Sequence, residues 1–190
     1  MKKEYLDIIK ELKPCEDADL WLSKRADKSP QELWNACYRG DWMLWLASKL
    51  DVDRKLLVKA TCACARLALP YVPEGENRPL IAIETAEAWA NNKATIEQVI
   101  AAAYAAADAA DAADAADAAA YAAYAANAVA NAATYAADAA YAAANAAYAA
   151  AYAADAANAA DAANAATLQN CATLVRGIIP IDLLLVELKK

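Results

Sequence analysis

Histidine and phenylalanine are both absent from this 190-residue chain, and glycine occurs only three times. Without histidine, the usual general base at neutral pH and the commonest metal ligand are missing, so neither catalysis nor a metal site is expected. Three glycines do not build a phosphate-cradling loop, and the sequence has no Walker or dinucleotide fingerprint, so no cofactor is expected. No long, strongly apolar run is present. The alanine-rich stretch is broken at short intervals by Asp, Asn or Tyr, too polar a pattern for a membrane span. The N-terminal Met1-Lys2-Lys3-Glu4-Tyr5 leads into an amphipathic stretch rather than a signal-peptide apolar core. Positive charge is also scarce: 18 Lys and Arg face 25 Asp and Glu, for a net charge of -7. A nucleic-acid reader needs a basic face to displace counterions, so direct nucleic-acid binding is not expected and a protein partner is.

Five cysteines are present, at positions 15, 37, 62, 64 and 171. An odd number with no spaced framework fits a reducing compartment, and the chain reads as cytoplasmic. Cys62 and Cys64 form a C-x-C. On a helix they would stand about 200° apart around the axis, poor geometry for sharing a metal, and they read as small core residues.

The first half, residues 1–94, has varied composition and clear helix punctuation. Leu6, Ile8, Ile9 and Leu12 recur at helical spacing over residues 3–13, and Pro14 stops them. Ser29-Pro30-Gln31-Glu32 is a capping box with proline in the first turn. Its helix is expected to run to about Tyr38, with Gly40 as a left-handed cap. Asp41 is expected to cap a helix over residues 42–50, and Asp53 one that ends before Pro70. Residues 71–76, with Pro73 and Gly75, read as a loop. Pro79 then falls in the first turn of a helix that Asn91-Asn92 ends, and Thr95-Ile96-Glu97-Gln98 is a second capping box.

The second half, residues 95–190, has another grammar. Residues 101–166 are mostly alanine, the best helix former because it loses no side-chain entropy. Asp, Asn and Tyr enter after every two or three alanines, a degenerate tripeptide repeat. Asp108, Asp111, Asp114 and Asp117 step by three, so on an α-helix their stripe slips about 60° per step. Farther on, the mixture of threes and fours that includes Tyr121, Tyr124, Tyr141 and Tyr148 holds a broad polar stripe opposite an alanine face. Unbroken, the segment would span roughly 100 Å at 1.5 Å per residue. A break over residues 127–134 and a helical hairpin are expected instead. Leu168, Cys171, Leu174 and Val175 give the last long helix an apolar face, Gly177 and Pro180 end it, and residues 181–188 form an apolar tail that docks on the head. The expected fold is all-α: a multi-helix bundle in which a helical head packs on long alanine-rich helices. Tyrosines paired across alanine faces would stabilise a homodimer as readily as a hairpin.

Three groups of residues are candidates for binding. All five tryptophans lie in the first half, either as core or as an aromatic patch, with Trp42 and Trp45 the chosen members. Glu84 and Glu87 lie one turn apart, near Arg66 or Arg78, as a carboxylate site or as structural ion pairs. The stripe bearing Asp108, Asp111, Tyr121, Tyr124, Tyr141 and Tyr148 is a solvated face, an acidic aromatic surface, or an array matched to a lattice.

Cys62-Ala63-Cys64-Ala65-Arg66-Leu67-Ala68-Leu69-Pro70, then Asn77-Arg78-Pro79, then Ala82-Ile83-Glu84-Thr85-Ala86-Glu87-Ala88-Trp89 resemble a family of immunity proteins of bacterial polymorphic toxin systems. The resemblance covers roughly residues 60–120 and implies an all-α fold and a role assigned from gene neighbourhood. The histidines and glycines of the family's later helices are replaced here by the Asp/Asn/Tyr repeat. The head, including Asp41-Trp42-Met43-Leu44-Trp45-Leu46, looks instead like uncharacterised bacterial and phage proteins. The resemblance implies a non-enzymatic binding protein that neutralises a toxin or defence component. The residues themselves leave two other classes open: a carboxylate hydrolase using Asp41, Glu84 and Glu87, and a structural or lattice-binding rod, ice-binding-like or nucleic-acid-mimicking.

Overall fold

The computed structural model describes residues 4–112 and 161–188, and every regular element among them is helical. The fold is all-α. Seven helices precede the undescribed stretch: α1 (Glu4–Glu11), α2 (Glu16–Ser23), α3 (Pro30–Ala36), α4 (Gly40–Lys49), α5 (Arg54–Ala65), α6 (Arg78–Ala90) and α7 (Ile96–Ala112). A 3₁₀ segment, Arg66–Tyr71, joins α5 to the loop before α6. Two helices follow, α8 (Asp161–Ile178) and α9 (Ile181–Glu187).

Local chemistry explains most of the boundaries. The Ser29 hydroxyl accepts from the Glu32 amide while the Glu32 carboxylate accepts from the Ser29 amide, a complete capping box. Thr95 and Gln98 exchange the same pair of bonds before α7. Asp53 accepts from the Lys55 and Leu56 amides and starts α5. Pro79 sits in the first turn of α6, and Gly75 takes a φ of 88° in the preceding loop, where a side chain would be strained. α2 begins without any side-chain cap. Its first turn carries Glu16, Asp17 and Asp19, whose charges favour the positive end of the helix dipole.

Four boundary expectations are corrected. α3 stops at Ala36 rather than near Tyr38. Gly40 is not a left-handed cap but the first residue of α4. A β-carbon there would run into Cys171 Cβ and stand 2.7 Å from the Ala172 nitrogen, so glycine is what allows α4 and α8 to touch. Asp41 therefore lies inside the first turn, held by Arg39 rather than capping the helix. Gly177 does not end α8, which continues through it to Ile178. The expected break over residues 127–134, and the hairpin it would make, lie outside the described residues.

α5 is the shared wall of two cores. One face, with Leu57, Ala60 and Cys64, joins a cluster built from α1 to α4, α8 and α9. The opposite face, with Val58, Cys62 and Ala65, joins a second cluster with α6 and α7. The C-x-C is thus split between two interiors, as its angular separation requires. In the second core Ala82, Ala86 and Ala90 of α6 lie buried with Val99, Ala103 and Ala106 of α7. Alanines on both helices allow close backbone approach. α8 packs across α4 and α5 through Leu168, Cys171, Ala172 and Val175, and the chain then turns by 75° into α9, which reaches α3. No single described helix is long and apolar enough to cross a membrane.

Candidate functional site

Where α1, α2, α3, α4 and α9 meet, their side chains leave a half-open hollow of about 70 Å³ with almost wholly apolar walls. α1 contributes Tyr5 and Ile9, and α9 contributes Ile181 and Leu184. Four indoles, Trp21 from α2, Trp34 from α3, and Trp42 and Trp45 from α4, line it together with aliphatic residues that include Leu33, Met43 and Leu46. Trp21 and Trp34 are buried, while Trp42 and Trp45 are half-buried. Among the described residues, both indole N–H groups of the buried pair, Trp21 Nε1 and Trp34 Nε1, lack a hydrogen-bond partner. An unmade buried hydrogen bond costs about 1–3 kcal/mol, a cost that the apolar packing around these rings offsets.

Two of the wall residues, Trp21 and Trp42, belong to a second feature. Tyr38 and Trp42 lie 6.1 Å apart between ring centroids, and Trp21 meets Trp42 edge to face at 6.2 Å. The Arg25 guanidinium sits 4.5 Å over the Trp21 ring, and Arg39 sits 4.6 Å over Trp42. Arg39 also donates two bonds to buried Asp41, at 2.9 and 2.7 Å, which fixes its plane on the indole. Tyr38 itself is 47 % exposed.

Among the described residues only two titratable side chains line the hollow, and both stay neutral near pH 7. Burial pushes the Cys37 thiol up to about 11. Burial, reinforced by Glu32 and Asp27, raises the Tyr5 phenol, whose hydroxyl donates to the Lys28 carbonyl. The floor is fixed from below by Arg176 of α8. It donates to the Cys37 carbonyl at 2.7 Å and the Trp34 carbonyl at 3.4 Å, and so satisfies the open end of α3.

Among the candidates from the sequence, Trp42 and Trp45 fall in this wall. Arg66, Arg78, Glu84, Glu87 and Asp108 do not. Arg66 pairs bidentately with Glu87, at 2.8 and 2.7 Å, as a half-exposed ion pair between the start of the 3₁₀ segment and α6. Arg78 pairs with Glu76, not with Glu84 or Glu87, and that contact lowers the Glu76 carboxyl to about 2. Asp108, exposed on α7, adds its field to Arg78. Glu84 is exposed. The carboxylates proposed for a hydrolase therefore do not converge: Asp41 and Glu87 are each tied to an arginine, and none of the three lines the hollow. Among the described residues no group of three or more Cys, Asp and Glu is arranged to hold a metal. Asp111 belongs to α7, and Tyr121, Tyr124, Tyr141 and Tyr148 lie outside the described residues.

Sequence reasoning did not select Trp21, Trp34, Tyr38, Arg25 or Arg39. The available signal was density, since four of the five tryptophans fall at positions 21, 34, 42 and 45. Compared with protein-family models, curated proteins and solved structures, the chain matches none, so the resemblance over residues 60–120 rests on those residues alone.

Proposed function

We propose that this chain is a non-enzymatic binding protein that neutralises a toxin or defence component by direct contact, with the aromatic cluster around Tyr38 and Trp42 as its contact surface. The observation that carries this reading is the cluster of Tyr38, Trp42 and Trp21 with Arg25 and Arg39. Tyr, Trp and Arg are the residue types in which interfaces concentrate their binding energy, because they offer large rigid area with a polar handle. The Arg39–Asp41 pair holds Trp42 in place before any partner arrives, which reduces the ordering cost of association. A net charge of -7 favours a basic protein partner and speeds its approach. The resemblance to the immunity family supplies the class of that partner. We read the chain as cytoplasmic, in keeping with five free cysteines.

The test is size-exclusion co-elution of the purified chain with the product of each neighbouring gene, followed by calorimetric titration of any complex. One product is expected to bind, and Trp42→Ala is expected to weaken it at least about tenfold while leaving the far-UV spectrum unchanged. Failure of every neighbouring product to bind would sink the reading.

A further inference from the structure

We infer that Cys64 and Cys171 are a redox-sensitive clasp: a disulfide between them locks α8 onto α5, and the reduced pair leaves α8 free to lift. The two residues are 107 positions apart in sequence, yet both are fully buried in the first core. Their thiols hydrogen-bond to each other, and Cys64 Sγ also lies 3.9 Å from the Cys171 carbonyl oxygen. Small residues surround the crossing. Ala60 on α5 and Ala172 on α8 are fully buried, and the bare Gly40 of α4 faces Cys171 Cβ. Backbones approach closely where side chains are small, and a disulfide requires that approach, since its Cα atoms stand about 4.4–6.8 Å apart. The other three cysteines stand elsewhere. Cys62 lies in the second core against the Ile83 carbonyl, Cys37 donates to the Arg39 carbonyl, and Cys15 is exposed.

With α8 docked, the pair is inert. The hydrogen bond to Cys171, and then burial, raise the Cys64 thiol well above its ordinary value, and a protonated thiol does not attack disulfides. The reaction therefore waits for α8 to lift, a local opening that removes the helix covering Cys64. The oxidant is a small-molecule disulfide of the glutathione type. The Cys64 thiolate attacks one of its sulfurs, the S–S bond breaks, and one thiolate leaves while the other half stays on Cys64. As α8 returns, the Cys171 thiolate attacks the Cys64 sulfur and expels that second half. Two protein thiols have then lost two electrons and two protons, and the small disulfide has become two thiols. The new bond closes a long loop, so it removes more freedom from the unfolded chain than a short one would. It also secures the helix whose Arg176 holds the Trp34 and Cys37 carbonyls. The clasp does not depend on whether the aromatic cluster meets a protein partner.

The experiment equilibrates the full chain with oxidised glutathione in urea below the unfolding midpoint, where local openings are frequent, and then blocks free thiols by alkylation. Mass spectrometry of peptides reads the linkage, with fragmentation to separate Cys62 from Cys64. The expected product is a Cys64–Cys171 disulfide. Once urea is removed, the linked chain is expected to unfold at a temperature about 5 °C or more above the reduced chain, and dithiothreitol is expected to abolish the difference. Cys171→Ala, a change between small core residues, is expected to show no such rise. Should that variant not fold, the linkage map of the parent chain still decides. Glutathione adducts alone, a disulfide through Cys15, Cys37 or Cys62 instead, or a linked chain no more stable than the reduced one would each overturn the inference.

Discussion

At Gly40 a single hydrogen atom in place of a side chain sets how closely α4 and α8 approach. The neighbours are Cys171 Cβ and the Ala172 backbone nitrogen, which a flexible side chain's end would yield but a helix backbone does not. Gly40→Ala is therefore expected to destabilise the protein by about 1–3 kcal/mol through overpacking, read as a lower denaturant midpoint at unchanged slope. A stability equal to that of the parent chain would show that α8 can move aside. The sequence invited the opposite reading, because glycine after a helix commonly marks a left-handed cap. The contact that claims this glycine comes from the far end of the chain, and no local pattern announces it. Cys62 and Cys64 were legible for the converse reason. Their separation around one helix depends only on their spacing, and it sends one thiol into each core. Arg176 was as hidden as Gly40, since its acceptors are carbonyls, which carry no sequence signature.

Among whole elements, three helix starts announced themselves through side-chain caps. Ser29, Asp53 and Thr95 each satisfy amides that the first turn leaves free, and all three boundaries follow the sequence. α2 was missed because Cys15 precedes it with no side-chain cap bond, and its acidic first turn looks like any charged surface stretch. Ser29→Ala removes the acceptor for the Glu32 amide and is expected to cost about 1 kcal/mol. Thermal unfolding should show it as a lower midpoint. Because α3 carries Trp34 and Leu33 into the hollow's wall, the same substitution should also increase quenching of tryptophan fluorescence by acrylamide. No change in either signal would mean that packing alone holds α3. The hollow escaped sequence reading because five elements supply it, and each contributes residues that look like ordinary core.

Taken together, the described residues form two interiors back to back on α5. Leu57 and Val58 are adjacent in sequence, yet each is buried in a different core. Leu57→Ala is expected to cost about 2–5 kcal/mol and Val58→Ala somewhat less. Both should shift one common unfolding transition, seen alike by fluorescence and by circular dichroism. Two separated transitions in either variant would show that α6 and α7 come apart independently. The all-α class and the docking of the C-terminal segment on the head were readable from composition and apolar spacing. The sharing of α5 was not, because it depends on which helices pack on each face. The place of α8 in the first core has a consequence for how the protein is made. Synthesis is vectorial, so α1 to α4 leave the ribosome long before Cys171, Val175 and Ile179 exist to cover them. The nascent head is then expected to carry an open apolar flank until α8 and α9 emerge, an order of arrival that favours chaperone engagement during translation.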